Sequence, residues 1–262
     1  MAYGQRIPIK TRSEVEKMRE AGRHVAEMLL ELRELVRPGV TTKELDRIAE
    51  KKIEERGVVS SFKGYAPQGL PRYPAVLCVS VNEEIVHGIP GSREIEAGDI
   101  VSLDFGVSFE GLHGDSAVTV AVGDVGPAKH KLLDVTRESL CRAVETMKPG
   151  NRLSDIGHAV QSAVEPEGFS VVRDFAGHGI GRQMHEAPWI PNYGAPGRGP
   201  RLVPGMVLAI EPMVNTGTPE VEILEDEWTA VTSDGLPSAH FEHTILITDD
   251  GPEILTRIEG SH

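Results

Sequence analysis

Asp104, Asp115, His178, Glu211 and Glu242 are the side chains in this sequence best suited to hold metal. They lie in the runs VSLDFG, HGDSAV, GHGIGR, LAIEPM and HFEHTI. One imidazole and four carboxylates can serve two divalent cations that share bridging oxygens. The four negative charges balance two such ions, so the loaded cage is nearly neutral. Without metal the clustered acids repel one another, and several hold protons. A pair of ions can hold a nucleophilic hydroxide and polarise a carbonyl at once, which is the chemistry of hydrolysis. An oxygen-rich set with one histidine suits Mn, Fe, Co or Zn better than a thiol-seeking ion.

Taken singly, each residue has a plainer reading. Asp104 or Asp115 could cap a turn, His178 could be a loop imidazole bonded to backbone, and Glu211 or Glu242 could pair with an arginine. Their coincidence favours the metal. Asp104 and Asp115 flank the turn signal Glu110-Gly111, so a hairpin would bring both to one face. Aspartate is depleted in strand interiors, and an acid inside IVSLDFG needs a partner. Glu211 closes the apolar run MVLAIEP and Glu242 sits in AHFEHTILI, where a buried carboxylate must be paired or coordinated. The glycines beside His178 permit close backbone approach. Two further histidines, His87 in NEEIVHGIP and His185 in RQMHEAP, could donate to an oxyanion or protonate a leaving nitrogen.

The elements that carry these residues follow from periodicity. Residues 13–36 put Val15, Met18, Ala21, Val25, Met28, Leu29, Leu32 and Leu35 on one helical stripe. Ser13 with Glu16 fits a capping box, and Pro38-Gly39 ends the run. A second helix, TTKELDRIAEKKIEERG, opens on Thr41 and Glu44 and closes at Gly57. The layout returns over residues 129–147 and in RLSDIGHAVQSAVEPEG, which closes at Gly168. Gly57 follows Pro38, and Gly168 follows Pro149, by 19 positions in both cases, at an offset of 111. The identity between them is sparse, so the choice lies between a duplicated α-β half and two similar helix pairs. Strands are predicted in AVLCVSVN, DIVSLDFGVSF, HGDSAVTVAV, FSVVRDF, MVLAIEP, EWTAVTS and HFEHTILIT. The short turns between them predict a largely antiparallel sheet. No linker or low-complexity tract divides the chain, so one domain is expected.

Composition narrows the classes. At 262 residues the chain can bury a sizeable core in one α/β or α+β domain. No stretch approaches the ~18 apolar residues of a membrane span, and the start lacks the apolar core of a signal peptide. A cytoplasmic protein is expected. Its two cysteines, Cys78 and Cys141, have no zinc-finger spacing. A net charge of −13 argues against nucleic acid.

The motifs VSVNEEIVHGIP, GDIVSLDFG, GDSAV, GHGIGRQMHE, AIEPM and HFEHTI, in this order and spacing, resemble the bacterial type I methionine aminopeptidases. The resemblance spans about residues 8–257. It implies the pita-bread (creatinase/aminopeptidase-like) fold, with duplicated halves near 10–125 and 126–257, a curved antiparallel sheet and helices outside. It implies removal of the initiator methionine from nascent chains whose second residue is small. Two divalent ions, drawn from Co, Mn, Fe, Zn or Ni, would be held by Asp104 on one side and by His178 and Glu211 on the other, with Asp115 and Glu242 bridging. A bridging hydroxide would attack the Met carbonyl, with Glu211 handling its proton. His185 would stabilise the oxyanion and His87 contact the scissile nitrogen. Phe62, Tyr65, Tyr73, Cys78, Met184 and Trp228 would form the methionine pocket, where thiol and aromatic walls suit a thioether. The partners implied are N-termini of nascent polypeptides, with transient ribosome association left open, no nucleic acid and no membrane; a monomer is expected. Met1-Ala2 would itself be a substrate.

Two departures bear on this. KGYAPQGLPRYPAVLC is longer than the resemblance implies, which loosens the placing of Phe62, Tyr65 and Tyr73. Only 31 residues separate Glu211 from Glu242, too few for the helical insert of the type II enzymes. Two other readings remain at this stage: a proline-specific peptidase or creatinase of the same fold, which would carry a large extra N-terminal domain, and a non-catalytic module, which would have lost the five ligands.

Overall fold

The computed structural model describes residues 6–67 and 69–257; Met1-Ala2 lies outside them. Four helices are built as two pairs: α1 (Arg12–Arg33) with α2 (Thr42–Arg56), and α3 (Gly126–Thr146) with α4 (Leu153–Val164). The first cap differs from the sequence expectation. Thr11, not Ser13, caps α1, with its hydroxyl accepting from Glu14 N and the Glu14 carboxylate accepting from Thr11 N. Ser13 falls inside the first turn, and Thr11-Glu14 carries the same spacing two residues earlier. Thr41 and Glu44 cap α2 as predicted, and Gly57 ends it in the left-handed conformation. The third helix starts at Gly126, with Pro127 in its first turn, earlier than the predicted residue 129.

The central sheet has nine strands. In chain order they are β1 (Val59–Ser60), β2 (Cys78–Val81), β3 (Ile100–Phe109), β4 (Leu112–Ala121), β5 (Gly177–Gly179), β6 (Glu186–Ile190), β7 (Val207–Ile210), β8 (Glu242–Thr248) and β9 (Gly251–Ile254). Their spatial order is β1-β3-β4-β8-β7-β5-β6, with β2 beside β3 and β9 beside β8. Every pairing among them is antiparallel. Two three-stranded sheets complete the fold, one of which contains Ser238–His240. The predicted strand HFEHTILIT is therefore two strands in different sheets, broken at Phe241. FSVVRDF shrinks to Ser170–Val171. Each half's helix pair is tied to the loop that follows it by the same contacts. Gly39, Thr42 and Lys43 donate backbone hydrogen bonds to Ile95, Arg93 and Gly91, and 111 residues on Gly150, Leu153 and Ser154 donate to Leu202, Pro200 and Arg198. The two helix pairs thus share one pattern of backbone contacts, although few side chains match.

Strand parity separates core from site. In β3 the odd residues Val101, Leu103, Phe105 and Val107 pack under Val25, Met28, Leu29 and Leu32 of α1 and Leu45, Ala49 and Ile53 of α2. In β7 and β8, Leu208, Ile210, Ile245 and Ile247 pack under α3 and α4 in the same way. The alternate residues face away from the helices, and Asp104, Glu211 and Glu242 are among them.

Candidate metal centre

Register brings the acids together. The turn Glu110-Gly111, with both residues at positive φ, joins β3 to β4 as a two-residue hairpin. Asp104 then lies opposite Ala117, and Asp115 is two residues from Ala117 on the same strand face. Glu242 of β8 lies opposite Ala117 from the other side. In β7, Ala209 pairs with both Thr244 and His178. Glu211, two residues beyond Ala209, comes round to Glu242. Ala117 is thus a small central tile with acids on several sides. Gly106 is equally required: a Cβ there would come within 2.9 Å of the Phe62 ring and 3.1 Å of Asp115 Oδ1. His178 lies on a short strand, not a loop, and its flanking glycines permit contact that a Cβ would block, 2.4 Å from Ala209 O and 2.1 Å from Ala187 O.

Asp115, His178 and Glu242 offer ligand atoms that all lie within 4.8 Å of one another. The Asp104 carboxyl lies close enough to that of Asp115 for each to shift the other's titration, and Glu211 Oε1 is 3.5 Å from His178 Nε2. All five predicted ligands therefore meet in one place. Asp104 Oδ1, Asp115 Oδ1 and Glu242 Oε1 are buried without any hydrogen-bond partner. Unpartnered buried carboxylate oxygens are rare in folded proteins and fit a cation. His178 Nδ1 donates to Gly179 O at 2.9 Å. That leaves Nε2 as the free lone pair, pointed at the acids, as in a metal-ligating histidine.

Burial drives the electrostatics. It raises Asp104 to about 7, partly offset by hydrogen bonds from Asp115 and Cys78. Burial, then the charges of neighbouring carboxylates, raises Asp115, Glu211 and Glu242 well above the usual range. Burial lowers His178 to about 3, so it is neutral and available as a ligand at any ordinary pH.

His87 and His185 flank this centre. His87 adopts φ 61, a left-handed conformation uncommon outside glycine. Its ring lies edge-on to Trp228 at 5.9 Å and to Phe175 at 5.4 Å. The His185 ring lies 4.2 Å from that of His178 and 5.1 Å from Tyr65. Desolvation, together with a neighbouring histidine, lowers both to about 4.

Phe62, Tyr73, Cys78, Met184 and Trp228 belong to one buried cluster, with Tyr65 and Ile89 packed against it. Tyr73 stacks edge-on to Trp228 at 5.2 Å and to Phe62 at 6.4 Å, and its hydroxyl donates to Gly88 O. Two backbone hydrogen bonds close the long segment before Cys78 on itself. Tyr73 N donates to Tyr65 O and Gly64 N to Tyr73 O, both at 2.8 Å, so Tyr65 and Tyr73 are held side by side. Three contributors escaped the sequence reading. Phe175, in the segment predicted as a strand, packs on His87. His240 is 2 % exposed, 3.9 Å from Glu242 Oε2, with neither ring nitrogen partnered. Thr244 donates to Asp115 O and accepts from Asp115 N, stitching the two halves where the strand ladder is short.

Residues 16–249 match metallopeptidase family M24. Over 252 residues the chain is 55% identical to methionine aminopeptidase 1 of Bacillus subtilis (strain 168), covering 96% of this chain and 100% of that one. The crystal structure of a methionine aminopeptidase from Thermotoga maritima superposes with a TM-score of 0.93 at 50% identity, covering 97% of this chain and all of the other. The prolidase of Pyrococcus furiosus shares the fold, with a TM-score of 0.78 at 24% identity, over 96% of this chain and 66% of its own. The chain belongs to metallopeptidase family M24, among its methionine aminopeptidases. It is a metal-dependent hydrolase with the pita-bread arrangement of duplicated α-β halves.

Proposed function

We propose that this enzyme removes the initiator methionine from nascent polypeptides in the cytoplasm when the second residue is small, as one domain whose halves span about residues 10–125 and 126–257. The observation that carries the reading is the buried, unpartnered carboxylate oxygens facing a neutral His178 Nε2, beside a pocket walled by a thiol and aromatic rings. Two divalent ions held by Asp104, Asp115, His178, Glu211 and Glu242 would supply a nucleophile at neutral pH and polarise the scissile carbonyl. Glu211, raised by burial, is suited to take up a proton from the attacking group. Neutral His185 is suited to donate an N–H to the oxyanion, and neutral His87 to the scissile nitrogen. Phe62, Tyr65, Tyr73, Cys78, Met184 and Trp228 receive the methionine side chain, and their soft walls favour a flexible thioether over a branched chain.

The test uses chelated protein given back single metals and assayed on Met-Ala-Ser, Met-Lys-Ser and Leu-Ala-Ser. Met-Ala-Ser should be cleaved fast and Met-Lys-Ser scarcely at all. Leucine should be released slowly, since an apolar pocket discriminates by only about 1–3 kcal/mol per methylene. Equal rates for alanine and lysine at the second position would refute the initiator-methionine role.

A further inference from the structure

We propose that Lys10 is a positioning residue for His185, acting through an ion pair with Glu186 that locks the loop 181–186 against the segment leading into α1. This rests on the reading of His185 as a donor in the transition state. Lys10 Nζ lies 2.6 Å from Glu186 Oε2, and the two side chains are 1% and 8% exposed. A lysine this deeply buried is rare, and removing two charges from water is expensive. A buried ion pair is poor evidence of added stability, so its location matters more than its strength. Glu186 immediately follows His185, and its second oxygen accepts from Gln183 N at 3.1 Å, so one carboxylate holds both ends of the turn that presents Met184 and His185. A second pair, Arg182 with Glu14, grips the same loop from the start of α1.

The backbone makes room for the latch. A Cβ on Gly181 would sit 2.2 Å from Lys10 Cε, and one on Gly205 would sit 2.7 Å from Ile9 Cγ2. Lys10 N also donates to Gly205 O at 2.8 Å. Two glycines are thus spent on letting residues 9–10 pass beneath the loop. Neither Lys10 nor Glu186 reaches the five clustered ligands by any hydrogen bond or ion pair in the structure. The same loop also carries Met184, and Glu186 pairs with Gly179 beside His178, so the route through His185 is read from the double-variant cycle and from unchanged KM and metal content.

The experiment compares Lys10→Met and Glu186→Gln, each alone and combined with His185→Ala, in the full-length metal-loaded enzyme on Met-Ala-Ser. Metal content and melting temperature are measured for every variant. Lys10→Met should lower kcat about tenfold to a hundredfold, in the range of lost orienting partners, with KM within twofold and full metal content. Added to His185→Ala, it should lower kcat no further, because residues acting through one group do not add. Glu186→Gln keeps shape and an acceptor, so it secures a folded protein and should give a smaller loss with the same pattern. Histidine ring NMR of the chelated proteins, with the His185 signal assigned by its absence from His185→Ala, should show that ring displaced in Lys10→Met. An unmoved His185 signal, an undiminished kcat, or the same fold-loss in the His185→Ala background would overturn the proposal. If His185→Ala itself left kcat intact, the donor reading of His185 would fall, while the ring signal would still decide whether the latch exists.

Discussion

Asp104→Asn should stabilise the metal-free protein at neutral pH while destroying the metal centre. A carboxyl near 4 in the unfolded chain stands at about 7 in the folded one, chiefly through burial. The folded state therefore binds the proton more tightly than the unfolded state. Stability from this group is fully present below pH 4 and is lost as pH rises toward 7. Three pH units correspond to about 4 kcal/mol, and roughly 2.5 kcal/mol of that develops between pH 5 and 7.5. Asparagine has the same shape, cannot ionise, and can donate to Asp115. The chelated variant should therefore match the chelated wild type near pH 4 and exceed it increasingly up to pH 7.5. At about 2–4 °C per kcal/mol for a chain of this size, the gap in melting temperature should grow by about 5–10 °C between pH 5 and 7.5. Differential scanning calorimetry over that range in the presence of chelator measures it; comparing variant with wild type cancels the titrating groups remote from the cage, while Asp115, Glu211 and Glu242 lose the raising charge of Asp104 and shift stability in the same direction. With metal added the order should reverse, since only the wild type gains binding energy. A variant no more stable than wild type at pH 7.5, or better by a constant amount at every pH, would refute the burial argument.

Ala117→Leu should abolish metal binding without touching a ligand, because Ala117 lies opposite both Asp104 and Glu242 and a larger side chain would occupy the cage; calorimetric titration with Mn(II) reads the loss. Thr244→Val removes the hydroxyl that pairs with both backbone groups of Asp115 and should cost about 2–3 kcal/mol in denaturant unfolding of the chelated protein. Trp228→Ala opens one wall of the proposed methionine pocket and should raise KM for Met-Ala-Ser about tenfold with metal content unchanged.

The sequence was most legible where physical constraints are local. An acid in an apolar run needs a partner wherever it lies, so Asp104, Glu211 and Glu242 stood out before any fold was known. Thr41-Glu44 and Gly57 marked their helix because caps and left-handed glycines act within four residues. The same logic misplaced the first cap, since Thr11-Glu14 and Ser13-Glu16 share one spacing and only the chain path chooses. Strands β5 and β6 were invisible: three and five residues leave no period to read, and glycines dominate the first. HFEHTILIT read as one strand because periodicity cannot see Phe241 step from one sheet to another. His240 and the Lys10–Glu186 pair had no signal at all, because each gains its meaning only from neighbours distant in sequence. The proposed pocket residues came through the resemblance alone, and the hydrogen bonds that join Tyr65 to Tyr73 across the long segment carry no sequence signal.

Binding of two divalent ions by five side chains on one face of the sheet is the step on which the proposed hydrolysis depends. Crystals grown with Mn(II) and measured at the manganese edge test it most directly. Two anomalous peaks should lie inside the cage, with Asp115 and Glu242 touching both, Asp104 touching one, and His178 and Glu211 touching the other, at distances of roughly 2.0–2.3 Å. A single peak, or two peaks with any of the five side chains turned away, would contradict it.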